Sequence, residues 1–293
     1  MHSLPDVREG LPGQSDLLPV TATQGRIDSQ LSLPYQAIEF RQGLFRARRR
    51  IEQSNLLLIS NCLGAINEGV KGALIHRLLL DAYVDHNPAY VLSLEPVRVE
   101  EWAPRIVKLA AESTAIAGVG PLAAIPGAIA DVTVQSMLAS GGSTCLVENG
   151  GEISAVSKRT LNVGVYSGNS PLSGRVGFHL VEEDFPIGIA TSSGTVSHAL
   201  NFGVADSATV IADTACLADA CAKAVCNAVK GDDVEASVQS GLEVAESLSV
   251  IRCALVIRGR FAGMVGKAPR ILSIHGNHQS TLLDILAPET VLL

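Results

Sequence analysis

The chain has 293 residues, of which 47% are hydrophobic and 17% charged, a composition that suits a folded globular protein and speaks against a largely disordered one. Its 22 Lys and Arg against 29 Asp and Glu leave a formal charge of −7, so nothing recommends nucleic acid as the main partner. No run reaches the roughly 18 uninterrupted apolar residues of a membrane span. Pro5, Asp6, Glu9 and Pro12 break any signal-peptide pattern at the start, and a cytoplasmic location without a membrane partner is expected.

Residues 1–34 read as an arm, punctuated by Pro5, Gly10, Pro12, Gly13, Pro19, Gly25 and Pro34. From Tyr35 to Ser60 the runs YQAIEF, LFRARRRI and NLLLIS are β-like. Arg46, Arg48 and Arg50 alternate there and share one strand face, either a solvated face or a phosphate-facing stripe. Asn61 to His86 has helical spacing through Leu63, Ile66, Val70, Leu74 and Leu78, with Ser60 or Asn61 as the expected cap and Asn87-Pro88 as the stop. Glu101 to Ala117 is a second helix. A third begins after Gly118-Val119-Gly120 with Pro121 in its first turn and runs to about Ala139, and Pro126 kinks it or delays its start.

Beyond Gly142 short β-like pieces follow one another: TCLVEN, EISAVS, LNVGVYS, RVGFHLV, IGIATSS and DSATVIA. Two helices, Thr214 to Val229 and Asp232 to Leu248, precede final strands near VIRCALVIRG and RILSIH. Strands and helices are segregated, which predicts an α+β fold with antiparallel sheets packed against helix pairs. The main domain is expected over 35–275, as two sheet-plus-helix halves near 35–140 and 141–275 that suggest internal duplication, with 276–293 as a tail. The six cysteines do not form a disulfide framework. Cys216 and Cys226 would lie about 15 Å apart along a helix, too far to share a metal, so both they and Cys221 read as small core residues.

Four segments carry candidate chemistry. Gly118 and Gly120 at a helix start could expose amides to an anion, or could simply serve a helix–helix turn. Asn149, Gly150, Gly151 and Glu152, preceded by Glu148, form a polar double-glycine turn that is either a plain hairpin or a ligand contact. Thr191, Ser192, Ser193, Gly194 and Thr195, followed by His198, place hydroxyls just beyond an apolar strand, where phosphates or carbonyl oxygens are commonly held. A serine hydrolase can be drawn from Ser192 or Ser193, His198 and Asp206 or Asp219, though no G-x-S-x-G elbow supports it. Asp219, in a helix of small residues, has Lys223 one turn later, either as a helical ion pair or as part of a cation or ligand site.

Taken in order, GVGPLAAIPGAIAD, VENGGEI, VGVYSGNSPLSGRVG, IATSSGTVSHALNFGVADSATVIA and LADACAKAVCNAV resemble a UPF-type ApbE-like prokaryotic family related to the FAD:protein FMN transferases. The resemblance covers about 35–275 for the narrow family and mainly 118–230 for the transferases. It implies an α+β architecture of the T-fold kind, a cleft for a flavin-like or pterin-like heterocycle (FAD or FMN among them), and a homodimer by analogy. In the transferases an Asp and a Thr one turn later hold Mg²⁺ beside the FAD diphosphate. Asp219 matches that Asp, and His198 is the only relic of the transferase His. Three features depart from the transferase pattern: Lys223 stands at the Thr position, Glu152 replaces the Asp of a GGD-like turn, and the GDYER-like and HxxDPxTG-like segments are missing. Gln53-Ser54-Asn55-Leu56 looks like a softened form of the narrow family's acidic ETDL run. An ammonium one turn from the carboxylate would repel a divalent cation by roughly several kcal/mol at low effective dielectric. The implied protein is a small-molecule binder and candidate transferase with a degenerate metal site. A ligand-binding or interaction protein without turnover is the alternative.

Overall fold

A computed structural model of the protein describes residues 38–196 and 201–274, together with the backbone of 290–292. The expected arm at 1–34 lies outside the described residues, as does nearly all of the expected tail.

The first hairpin layer is β1 (Glu39–Arg41), β2 (Leu44–Ile51) and β3 (Ser54–Ser60). Helices α1 (Leu63–His86), α2 (Ala89–Leu92), α3 (Arg105–Ala117) and α4 (Ile125–Ala139) follow, and the hairpin of β4 (Cys145–Asn149) and β5 (Glu152–Val156) closes this set. After β6 (Leu161–Val165) and β7 (Val176–Leu180) the chain makes β8 (Ile187–Ser192) and β9 (Ser207–Ala212), helices α5 (Ala215–Ala228) and α6 (Val234–Ser247), then β10 (Cys253–Arg258) and β11 (Phe261–Gly266). Strands β12 (Arg270–Ser273) and β13 (Thr290–Leu292) come last.

Nine strands form one sheet in the order β1-β2-β3-β4-β5-β8-β9-β10-β11, antiparallel throughout. Each half of it has the same chain order, a hairpin, then helices, then a hairpin. The first set of these elements runs through β5 (Glu152–Val156), whereas the expected halves divide near residue 140. A second sheet, β12-β7-β6-β13, was not anticipated as a separate layer. The helices cover one face of the large sheet. The small sheet covers the other, burying Leu146, Ile153, Leu161, Val163, Phe178, Ile189 and Ile211 together.

Local signals explain most boundaries. Thr214 caps α5 by accepting from the Leu217 amide at 3.3 Å, and Asp233 caps α6 from Ala236 at 3.0 Å. Pro126 delays α4 as expected, because a 3₁₀ turn over Pro121–Ala124 precedes it. Other expectations need correction. Neither Ser60 nor Asn61 is the cap of α1; the position falls to Cys62, which makes no side-chain cap bond. Asn61 instead accepts the amides of Ser143 and Thr144 at 3.1 and 3.0 Å and ties the helix to the entry of β4. Helix α3 starts at Arg105 and not Glu101, since Pro104 immediately before it is extended, with ψ 149°, and has no N–H to give to a preceding helical turn. Strand β11 escaped notice because Gly263 and Gly266 dilute its pattern, and its residues are half-exposed at a sheet edge.

Cys216, Cys221 and Cys226 are buried in α5 as core residues, and all six thiols are free. Arg46, Arg48 and Arg50 lie on the more exposed face of β2, while Arg49 is buried. Among the described residues one stretch, Pro121–Ala139, is long and apolar enough to cross a membrane, yet most of it is buried inside the fold. It packs against α1, β4 and α5.

Candidate functional site

Helices α4 and α5 begin against one another. Gly127, in the first turn of α4, has no room for a Cβ because the Ala215 carbonyl at the start of α5 occupies that space. Each helix then caps the other. Asp131 of α4 accepts the amides of Ala215 and Cys216 through its two carboxylate oxygens, at 3.0 and 2.9 Å. Asp219 of α5 accepts the Gly127 amide through Oδ2 at 3.0 Å. The first amides of a helix have no partner within it and carry partial positive charge, so two converging N-termini call for acceptors from outside. Both carboxyls are buried, with Asp131 6% and Asp219 8% exposed. Burial raises the pKa of Asp131 above the usual carboxylate range against the pull of the two amides and of the Ser154 hydroxyl. Burial also raises Asp219, to about 7; the Gly127 amide and then the Lys223 ammonium oppose the rise, and Asp131 adds to it.

The β4–β5 hairpin reaches the same place. Gly150 and Gly151 both take positive φ, 74° and 117°, which favours glycine. The Gly151 amide donates to Glu148 at 3.1 Å, and Asn149 Nδ2 donates to the Pro126 carbonyl at 3.0 Å. Alternation along the strands points Asn149, Glu152 and Ser154 towards the helices, while Ile153 and Ala155 enter the core between the sheets. Glu152 is buried, and its pKa lies well above the ordinary value, first through burial and then through repulsion from Asp219 and Glu148; Lys223 opposes the shift. Glu152 pairs across the sheet with Ala190, and Gly151 lies beside the Thr191 carbonyl. The double-glycine turn therefore borders the exit of β8.

At that exit the predicted hydroxyls separate. Ser192 Oγ donates to Asn201 Oδ1 at 3.1 Å, and Lys223 Nζ donates to the same oxygen at 2.8 Å. Asn201 Nδ2 in turn donates to the Ser193 carbonyl at 2.7 Å. Burial lowers the Lys223 pKa, and Asp219, Cys226 and Glu152 oppose that shift. Ser193 Oγ accepts the amides of Thr195 and Val196, a local turn. Thr195 donates to Asp206 at 2.9 Å, and Asp206 also accepts the Gly259 amide. The Gly194 amide bonds to the Ala205 carbonyl. Thr191 faces away from Ser192 and bonds to Thr209 at 2.8 Å. His198 lies outside the described residues. Ser193 and Asp206 are thus engaged in turn formation, which lends no support to the hydrolase arrangement.

Gly118 serves as the left-handed cap of α3, with φ 68°, and the backbone of Gly120 abuts Ser93. The contribution of this segment to the cluster comes further on, from Pro126, Gly127 and Asp131. The structure therefore gathers Asn149, Glu152, Ser192, Asp219 and Lys223, with Gly150 and Gly151 at the rim. Sequence reasoning missed Gly127, Asp131 and Asn201. Asp131 had a signal, an acid inside an otherwise apolar helical run, since lone buried acids require partners. Asn201 had none, because an Asn in a loop is ordinary.

A divalent cation does not fit the donor set. Among the described residues no three His, Cys, Asp or Glu side chains converge to hold a metal ion. Asp219 already accepts an amide, and the Lys223 ammonium acts on it electrostatically.

Comparison with known proteins agrees with this architecture. The fold is ApbE-like: the flavin transferase ApbE from Vibrio cholerae superposes with a TM-score of 0.51 at 13% identity, covering 80% of this chain and 98% of that one. A family model described as "AbpE bacteria" matches residues 46–249, and the chain belongs to that family. It is 39% identical over 236 residues to UPF0280 protein MK0206 of Methanopyrus kandleri, covering 80% of this chain and 95% of the relative. It is 38% identical over 230 residues to UPF0280 protein MJ1526 of Methanocaldococcus jannaschii, covering 78% and 93%.

Proposed function

We propose that the protein binds a phosphorylated, flavin-like or pterin-like small molecule where the β4–β5 turn, the end of β8 and the starts of α4 and α5 meet. One observation carries this reading. Four stretches distant in sequence bring Asp131, Asn149, Glu152, Ser192 and Asp219, all buried, together with half-buried Lys223, to one polar cluster in a helix–sheet interface whose other buried side chains are mostly Ala, Val and Cys. Packing alone requires no such group, and burying it is costly unless it is used. The Lys223 ammonium, which has protons beyond the one given to Asn201, would take a phosphate, with Ser192 holding Asn201. Glu152, whose protonated form burial favours, would in that form donate a hydrogen bond to a heterocycle carbonyl, and the amides of the double-glycine turn would approach the ligand closely.

Binding without metal-assisted transfer is favoured over FMN transfer, because the Lys223 ammonium stands beside Asp219. The test is calorimetric titration with FAD, FMN and a pterin, followed by a product assay on whichever binds. Saturable binding by at least one of them, weakened in Glu152→Ala, supports the reading. Three flat titrations would refute it.

A further inference from the structure

The carboxylates of the cluster are mostly occupied. Asp131 holds two amides of α5. Asp219 holds that of Gly127, and Glu148 that of Gly151. The positive charge that acts on Asp219 and Glu152 is Lys223, and its ammonium is held in place. Asn201 accepts from it while the same side chain is fixed by Ser192 and by the Ser193 carbonyl. The next residue is anchored too, since the Phe202 amide donates to Asn227 of α5 at 2.9 Å. A long lysine held this way loses little further freedom on meeting an anion. Half-buried beside apolar helix faces, it acts through a lower dielectric than a surface lysine does.

We infer that the Lys223 ammonium, positioned by Asn201, supplies the positive charge that a phosphate ester or anhydride needs here, so that such ligands bind without a divalent cation. This rests on the ligand-binding reading above. Lys223 touches the ligand, and Asn201 acts through Lys223 as a positioning residue.

The probes are FAD and inorganic pyrophosphate, titrated into the full chain in EDTA and again in excess Mg²⁺. The same affinity is expected in both. Lys223→Met should weaken FAD binding roughly 10- to 100-fold, the worth of a charge-assisted hydrogen bond. Lys223→Arg should retain most of it and also controls for folding. Asn201→Ala should weaken binding in the wild-type background and add nothing in Lys223→Met, a non-additivity that a merely structural role would not give. Lys223→Thr should gain a Mg²⁺-dependent rise in Tm that the wild type lacks. Wild-type binding that requires Mg²⁺, a wild-type Tm raised by Mg²⁺ alone, or undiminished FAD binding in Lys223→Met overturns the inference while leaving a ligand site standing. If neither probe binds in either condition, the phosphate reading falls and the inference with it.

Discussion

The two faces of the nine-stranded sheet use the same strands for opposite purposes. Towards the small sheet, Leu146, Ile153, Ile189 and Ile211 meet Val163 and Phe178 in a dry apolar layer. Towards the helices, the neighbouring positions Asn149, Glu152, Ser154 and Ser192 meet Asp131, Asp219 and Lys223. Period-two alternation lets one strand serve stability and chemistry at once. A residue's number along the strand, odd or even, therefore says more about its role than its distance from a motif.

Substitutions on the two faces should separate these purposes. The largest effect is expected on the dry face, where Ile153→Ala should cost about 2–5 kcal/mol in urea unfolding and leave ligand affinity unchanged. On the helix face, Asp131→Ala strips the start of α5 of two acceptors and should cost about 2–3 kcal/mol, with loss of α5 protection visible in hydrogen exchange. Next comes a pH effect. The folded-state pKa of Asp219 is raised from 3.8 to about 7, so the folded state holds a proton that the unfolded chain releases. That contribution is present below about pH 4 and is lost as pH rises towards 7. Asp219→Asn keeps an acceptor for Gly127, so its stability relative to wild type should be higher at pH 8 than at pH 4. An equal difference at both would contradict the shift. The smallest stability effects lie at the end of β8. Ser192→Ala and Thr191→Val should each cost under about 1.5 kcal/mol, yet only the former, on the helix side, should weaken FAD binding.

Much of this architecture could be read from residue patterns. Thr214 and Asp232 marked two helix starts to within two residues, and Asn87-Pro88 marked an end. The small sheet was hidden because LNVGVYS and RVGFHLV look no different from strands of the large one; which strands share a sheet is decided by pairing at long range. The site was half visible. Glycine turns and a lone acid in a small-residue helix announced themselves, whereas Asn201 became meaningful only when Lys223 was found against it. Thr191 and Ser192 looked equivalent in a run of hydroxyls, and the pleat assigned them to different faces.

The exchange of carboxylates between α4 and α5 has a consequence for the chain as a whole. A fragment ending at Val156 would keep Asp131 but lose Asp219, which receives the Gly127 amide, and a fragment starting at Leu161 would leave the amides of Ala215 and Cys216 bare. The two sets of elements should consequently depend on one another: severed and expressed apart, each is expected to fold poorly, and mixing the two to restore structure in both.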